Sequence, residues 1–237
     1  MSTSAIFLSI IIFMGMGYSI LANKLTVLAS FTGGFLASLI YLGSGFTGVA
    51  MMSVFFILGS SATSWHRYKK RTSVIVEEGK MARNALQVLA NAGVPAIAGL
   101  VIIFYPGLRN LMLLVMAGAF ASATADTLSS ELGMIYGRRF FNVVTFSRDS
   151  CGMDGVVSLE GTLIGFAGSC IIALIYALSF GLDMDFIFIV LAGIVGNLTD
   201  SVLGALFERK GLIGNDMVNL LNTLMAGLLA ILLKVLF

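Results

Sequence analysis

The sequence predicts an all-α, polytopic integral membrane protein with about eight transmembrane helices in a single domain, residues 1–237. Only 11% of its residues are charged and 58% are hydrophobic, whereas a soluble domain needs about a quarter charged residues to cover its surface. The mean hydropathy is +1.01. The apolar stretches are about 20 residues long, which suits helices crossing a hydrocarbon layer of about 30 Å, and they lack the alternation of barrel strands.

The apolar stretches give eight predicted spans in chain order: residues 5–22, 25–43, 45–64, 86–104, 107–124, 160–181, 185–207 and 217–236. The first is interpreted as a retained span and not as a signal peptide, because no basic side chain precedes it. Pro95 predicts a kink in the fourth span, and Pro106 marks the turn before the fifth. Gly is abundant, as expected where helices pack closely in lipid.

Basic residues set the predicted orientation. The predicted location is the cell membrane or an inner membrane, with both termini on the outer side. Eight crossings then place residues 65–85 and 125–159 in the cytoplasm, together with the connections near Lys24 and at 208–216. Only Arg109 and Lys234 of the 14 basic residues then lie outside, which follows the positive-inside rule. Among the acidic residues only Asp183 and Asp185 lie outside. Almost all polar chemistry is therefore predicted on the cytoplasmic side, which favours a soluble ligand over a through-going path.

Three span ends resemble one another and indicate two-helix hairpin repeats. Residues 56–63, 117–126 and 192–200 are each rich in small residues and turn polar at the inner end. Each closes a two-span unit, so all three ends would gather on one membrane face. Small residues at ordinary helix contacts are the alternative explanation.

Polar stripes at helical spacing mark the inner halves of four helices. A structural explanation is that amides join helices by hydrogen bonds; the functional one is a ligand site. The stripes are Asn84, Gln87 and Asn91 on the fourth helix, Ser122, Asp126, Ser130 and Glu131 on the fifth, Asn197 and Asp200 on the seventh, and Asn215, Asn219 and Asn222 on the eighth.

Asp126 and Asp200 are the strongest candidates for a role in function. A carboxylate at membrane depth is costly to insert, and such residues usually line a cavity and have a task. Ion pairing with loop arginines is the alternative. Together with Glu131 and Asp154 they offer hard oxygen ligands of the type that suits Mg²⁺ bridging substrate phosphates. Four basic residues could offset phosphate charge: Arg138, Arg139, Arg148 and Lys210.

The segment before the sixth span contains a glycine-rich turn. Gly152 and Gly155 permit a tight turn, and Ser158 is placed to cap the helix that follows. A helix N-terminus behind such a turn can bind phosphate, and an ordinary cap is the alternative. The sequence has no Walker lysine motif and no kinase catalytic-loop signature. Its one histidine, His66, is interpreted as structural, and the basic run 67–71 as a topology anchor.

Several blocks resemble the transmembrane-protein-19 family, also called domain of unknown function 92. They are Asn84–Pro95, Ala125–Gly133, Gly152–Ser158 with Gly161, and Asp200–Gly204 followed by Asn215–Asn222. The resemblance extends over nearly the whole chain in order. This chain has Met153, Asp154 and Val156 where the family usually reads Thr, Asn and Gly in the turn.

A plant plastid member of that family is a phytyl-phosphate kinase. The resemblance implies transfer of the γ-phosphoryl group of CTP or ATP to a membrane-held isoprenoid monophosphate at the cytoplasmic face, in contact with the lipid bilayer and without nucleic acid. It implies Mg²⁺ as cofactor on Asp126, Glu131 and Asp200. Substrate or nucleotide would contact the 152–158 turn and the polar stripes (Gln87, Asn91, Ser130, Asn197, Asn215, Asn219 and Asn222). The alternatives are a transporter or channel, and a lipid-binding scaffold; the oligomeric state is left open.

Overall fold

The computed structural model describes residues 3–65 and 82–237. In these ranges the chain forms eight long helices, each apolar enough and long enough to cross a membrane, which confirms the predicted fold class. They are α1 Thr3–Leu21, α2 Val27–Ser44, α3 Phe46–Ser64, α4 Ala85–Phe104, α5 Arg109–Tyr136, α6 Leu159–Phe180, α7 Met184–Leu206 and α8 Asn215–Leu236.

Polar side chains close several helix starts, where backbone N–H groups have no partner within the helix. Thr26 Oγ1 accepts from the Ala29 amide at the start of α2, and Asp183 does the same for Asp185 at α7. At α4, Asn84 and Gln87 form a reciprocal capping box with two 3.0 Å hydrogen bonds. These caps explain why the observed helices begin close to the predicted positions.

Helix α5 is the centre of the bundle and contacts α3, α4, α6, α7 and α8. Its middle, Leu113–Ala125, is buried throughout because small residues alternate with larger ones and let its neighbours approach. The helix continues to Tyr136, past the predicted end at residue 124. Polar residues start at Asp126, but Leu128 and Gly133 remain buried against α6, so the helical backbone keeps a packed face.

The helices α2–α3, α4–α5 and α6–α7 form hairpins joined by short turns. Contacts between helix ends show that these turns share one end of the bundle, hereafter the closed end: Arg109 donates to the Gly43 carbonyl at 2.8 Å, and Thr47 Oγ1 to Ser179 Oγ at 2.9 Å. At the same end Lys234 pairs with Asp185 at 2.7 Å.

The other end, hereafter the polar end, comprises the connections at 22–26, 137–158 and 207–214, together with Trp65 and residues 82–84. Trp65 Nε1 donates to the Tyr136 hydroxyl at 2.8 Å, and Lys24 Nζ to Ser64 Oγ. The parts of the predicted inner connections that the structure describes thus share one end of the bundle; the placement of this end in the cytoplasm remains a prediction. His66 and the basic run 67–71 lie outside the described residues.

The connection between α5 and α6 is folded. Phe141–Asn142 pairs antiparallel with Val156–Val157, and Asp149 forms an ion pair with Arg209 just beyond α7. The hydrogen bond from Arg209 lowers the pKa of Asp149 to about 2. This connection is therefore fastened to the end of α7, where Asp200 lies.

Candidate functional site

The structure brings Asp126 of α5 and Asp200 of α7 together near the polar end. Their carboxyl groups are close enough for a hydrogen bond between them. Both side chains are half-buried. Since two carboxylates side by side repel each other when both are ionised, their contact favours a bound cation or a shared proton.

Buried amides of α8 hold one member of this pair. Asn222 is fully buried, and its Nδ2 donates to Asp200 Oδ1 at 2.6 Å. Its Oδ1 accepts from Ser122 Oγ of α5 at 3.2 Å. Asn219 Oδ1 lies 3.5 Å from the same Nδ2. The Asn222 amide is thus oriented at both ends, and it fixes the Asp200 carboxylate against α5.

Further carboxylates surround the pair. Glu131 and Glu208 act electrostatically on Asp126, and Asp154 acts on Asp200. Partial burial raises the pKa of Asp154, and Arg209 opposes this shift. In residues 3–65 and 82–237, no three acidic, His or Cys side chains are grouped tightly enough to hold an ion alone. This donor set fits Mg²⁺, which commonly binds one or two carboxylates plus substrate phosphates.

Arg83 is a site residue that sequence reasoning missed, since it was assigned only to the basic topology set. Its backbone pairs with the connection before α2: its amide donates to the Lys24 carbonyl at 2.9 Å, and its carbonyl accepts from Thr26 at 3.0 Å. Burial lowers the pKa of Arg83, and the nearby carboxylates of Glu131 and Asp126 act in the opposite direction. One signal was available: Arg83 directly precedes the Asn84–Asn91 stripe.

The α4 stripe has mixed roles. The Gln87 side chain accepts from the Asn84 amide within the capping box, and Asn91 Nδ2 donates to the Gln87 carbonyl at 2.9 Å. Gln87, Asn91 and Arg83 all line one groove between helices. This stripe therefore both starts α4 and presents polar atoms to that groove.

Three other predicted residues lie on the helices that carry the acidic pair and its amides. Asn197 Oδ1 accepts from Ser129 Oγ at 3.0 Å and so joins α7 to α5. Ser130 is exposed and donates to the Asp126 carbonyl at 2.9 Å. Asn215 is exposed at the first residue of α8. The structure thus places Asn197 among packed helices, Ser130 at an exposed position beside Asp126, and Asn215 at the exposed start of α8.

The glycine-rich turn packs on the end of α7. Gly152 and Gly155 have positive φ of 82° and 75°, and a side chain at Gly155 would collide with Ala205. Ser158 Oγ accepts from the Gly161 amide at 3.1 Å, which confirms the predicted cap. The turn places Asp154 near Asp200; phosphate binding by the 152–158 segment stays a prediction.

Comparison with known proteins gives the same family as the motifs. A family profile described as integral membrane protein DUF92 matches residues 10–227. An uncharacterized membrane protein of Methanocaldococcus jannaschii is 36% identical over 190 residues, which is 80% of this chain and 77% of that protein. One from Synechocystis is 31% identical over 202 residues, with 83% and 77% covered.

Protein VTE6, chloroplastic, of Arabidopsis thaliana is 28% identical over 206 residues. The alignment covers 84% of this chain and 62% of VTE6. No solved structure matches the chain significantly.

Proposed function

The chain belongs to the DUF92 family of integral membrane proteins, and from this membership and its paired acids we propose that it is a polyprenyl-phosphate kinase. It transfers the γ-phosphoryl group of CTP or ATP to an isoprenoid monophosphate held in the membrane. The family resemblance implies this activity, because a plant plastid member of the family is a phytyl-phosphate kinase. The observation that most supports the proposal is the contact of Asp126 with Asp200 at the polar end.

The reaction needs positioning and charge neutralisation more than a strong base. A terminal phosphate oxygen of the acceptor forms a bond to the γ-phosphorus, and the bond from that phosphorus to the β–γ bridging oxygen breaks. The nucleoside diphosphate leaves with the electron pair. Because the acceptor oxygen is already anionic, no proton has to be removed first, which suits a site whose acidic pair is surrounded by amides, serine hydroxyls and Arg83.

Asp126 and Asp200 are the proposed ligands of Mg²⁺. Glu131, the third ligand predicted from the sequence, acts electrostatically on Asp126, but within residues 3–65 and 82–237 it is not grouped with the pair tightly enough to complete a three-carboxylate site. The ion would neutralise charge on the transferring phosphoryl group. Asn222 and Ser122 hold the Asp200 carboxylate in place, so that its oxygens do not need to reorganise. Asn91 and Asn219 are proposed to orient phosphates or base. The 152–158 turn, with Gln87, Ser130, Asn197 and Asn215, would complete the nucleotide side.

Location supports a division between two substrates. The acidic pair lies near the polar end, which we propose faces the cytoplasm, where a water-soluble nucleotide has access. Two basic residues at that end, Arg139 and Lys210, are exposed and available to attract anions. The isoprenoid tail can remain among the apolar helices while its phosphate meets the nucleotide.

The test is a direct activity assay on purified protein with γ-labelled CTP or ATP, Mg²⁺ and geranylgeranyl monophosphate. We expect labelled diphosphate, and a loss of about 100-fold or more in kcat for Asp126→Asn and Asp200→Asn, a typical cost of removing a group that stabilises transition-state charge. Glu160→Gln is the matched control: Glu160 lies at the same end and pairs with exposed Arg138.

Absence of product with every nucleotide and prenyl chain tried, or unchanged turnover in both Asp variants, would refute the proposal. The same preparations distinguish the transporter alternative. Solute flux into proteoliposomes that depends on Asp200, without diphosphate formation, would favour it.

A further inference from the structure

An apolar groove lies between α1, α2, α3 and α4, next to the acidic pair but separate from it. Its walls include Ile12 and Gly15 of α1, Gly33 of α2, Met52 of α3 and Val88 of α4. The cavity volume enclosed between them is about 130 Å³. Helix α1 packs chiefly on α2 and buries only Ser19, so this wall of the groove is loosely held.

The groove changes character toward the polar end. There it is lined by Arg83, Gln87 and Asn91, and by Ser30 one turn into α2. The Ser30 hydroxyl is buried, and it finds no hydrogen-bond partner in the described part of the chain. Buried hydroxyls are nearly always satisfied, so an unsatisfied one at a groove wall points to an acceptor brought by a ligand.

Arg83 connects the groove to the acidic pair. Arg83 lines the groove, its guanidinium lies 3.5 Å from Thr63 Oγ1 of α3, and it is within the electrostatic reach of Glu131 and Asp126. A molecule with its apolar tail in the groove and an anionic head on Arg83 would therefore place that head beside the carboxylates. An arginine fork matches phosphate geometry well.

We infer that this groove binds the tail of a single-chain isoprenoid phosphate, with Arg83 and Ser30 binding its phosphate. The inference rests on the proposed function for the identity of the chain. It adds Arg83 as a substrate-positioning residue and α1–α4 as the acceptor site. The charge of the head matches Arg83, and the tail matches walls that are almost wholly apolar. A two-chain phospholipid is the competing occupant.

Photolabelling tests the groove without requiring turnover. The probe is geranylgeranyl monophosphate with a diazirine in its terminal isoprene unit, applied to the full-length protein in nanodiscs. We expect labelled peptides from α1 to α4. Unlabelled geranylgeranyl monophosphate should compete, and phosphatidic acid should not. Labelling confined to other helices, or equal competition by phosphatidic acid, would overturn the inference.

A matched pair of glycines gives the variant test. A Cβ at Gly15 or at Gly17 meets no atom within 4 Å, so neither substitution should disturb the fold. Only Gly15 is among the residues that line the groove. We expect Gly15→Phe to weaken probe binding by about tenfold or more, which is about 1.4 kcal/mol, and Gly17→Phe to match the parent protein. Equal labelling of both variants would overturn the inference.

The role of Arg83 is tested by removing its charge and comparing a phosphate probe with an uncharged one. Arg83→Gln should weaken labelling by the phosphate probe, but leave unchanged the labelling by the corresponding geranylgeraniol probe, which a misfolded variant would not bind. Loss of both would contradict a phosphate role for Arg83. Failures of the two proposals differ: diphosphate formation without groove labelling refutes the groove alone, and groove labelling without diphosphate refutes the kinase alone.

Discussion

Replacing Asn222 by alanine removes the central link between three helices. The change deletes the 2.6 Å hydrogen bond to Asp200 on α7 and the 3.2 Å hydrogen bond from Ser122 on α5. Asn222 is fully buried, so water cannot replace either bond directly. We expect both a loss of stability and a looser Asp200 carboxylate.

The magnitude follows from the two bonds. Hydrogen bonds to charged groups contribute about 1.5–3 kcal/mol in soluble proteins. Interhelical hydrogen bonds measured in a membrane protein average about 0.6 and reach about 1.7 kcal/mol. The short hydrogen bond from Asn222 to the Asp200 carboxylate is expected to contribute close to the upper of these membrane-protein values, about 1.7 kcal/mol. Loss of the neutral hydrogen bond from Ser122 adds about 0.5 kcal/mol, close to the average measured in a membrane protein. The expected destabilisation by Asn222→Ala is therefore about 2 kcal/mol.

The assay is reversible unfolding in mixed micelles, with a double-mutant cycle between Asn222→Ala and Ser122→Ala. Because the two residues share a hydrogen bond, we expect a coupling energy of at least about 0.5 kcal/mol. Asn215→Ala, at the exposed start of the same helix, should change stability by less than about 0.5 kcal/mol. Additive single effects, or an Asn222 variant as stable as the Asn215 control, would refute the reasoning.

Three further predictions concern other parts of the fold. Arg209 lowers the pKa of Asp149 to about 2, from a value near 3.8 in the unfolded chain. Ionised Asp149 therefore stabilises the folded connection above about pH 4, and this stabilisation is lost as the pH falls to 2. Hydrogen-exchange protection of residues 137–158 should decrease over that range, and Asp149→Asn should abolish this pH dependence. Gly155→Ala should detach the same segment at neutral pH, measured by limited proteolysis, since its φ is 75° and a Cβ would meet α7. Asp185→Asn should lower the unfolding free energy by about 2 kcal/mol, because the ion pair with Lys234 is lost. It should leave diphosphate formation unchanged, because Asp185 lies at the closed end, away from the acidic pair.

The spans and the acidic pair could be predicted from the sequence because both depend on the membrane. A run of apolar residues identifies a helix in lipid without further information. A carboxylate inside such a run is costly, which made Asp126 and Asp200 conspicuous. Asn222 was also predicted, because its spacing on α8 places it on the same face as Asn219.

What escaped prediction depends on contacts between distant segments. The end of α5 was placed too early because its polar residues look like the end of a span, while its continued packing on α6 is a tertiary property. Arg83 owes its position to backbone pairing with Lys24 and Thr26, which no local pattern shows. The groove was missed since its walls consist of residues that any lipid-facing helix contains.

The uneven attachment of the helices has a consequence for selectivity. The hairpins α2–α3, α4–α5 and α6–α7 are locked at the closed end and packed around α5, whereas α1 rests chiefly on one neighbour. Sequence drift in α1 can therefore widen or narrow the lipid side without moving Asp126 or Asp200. Relatives with the same acids could in this way accept different hydrocarbon chains.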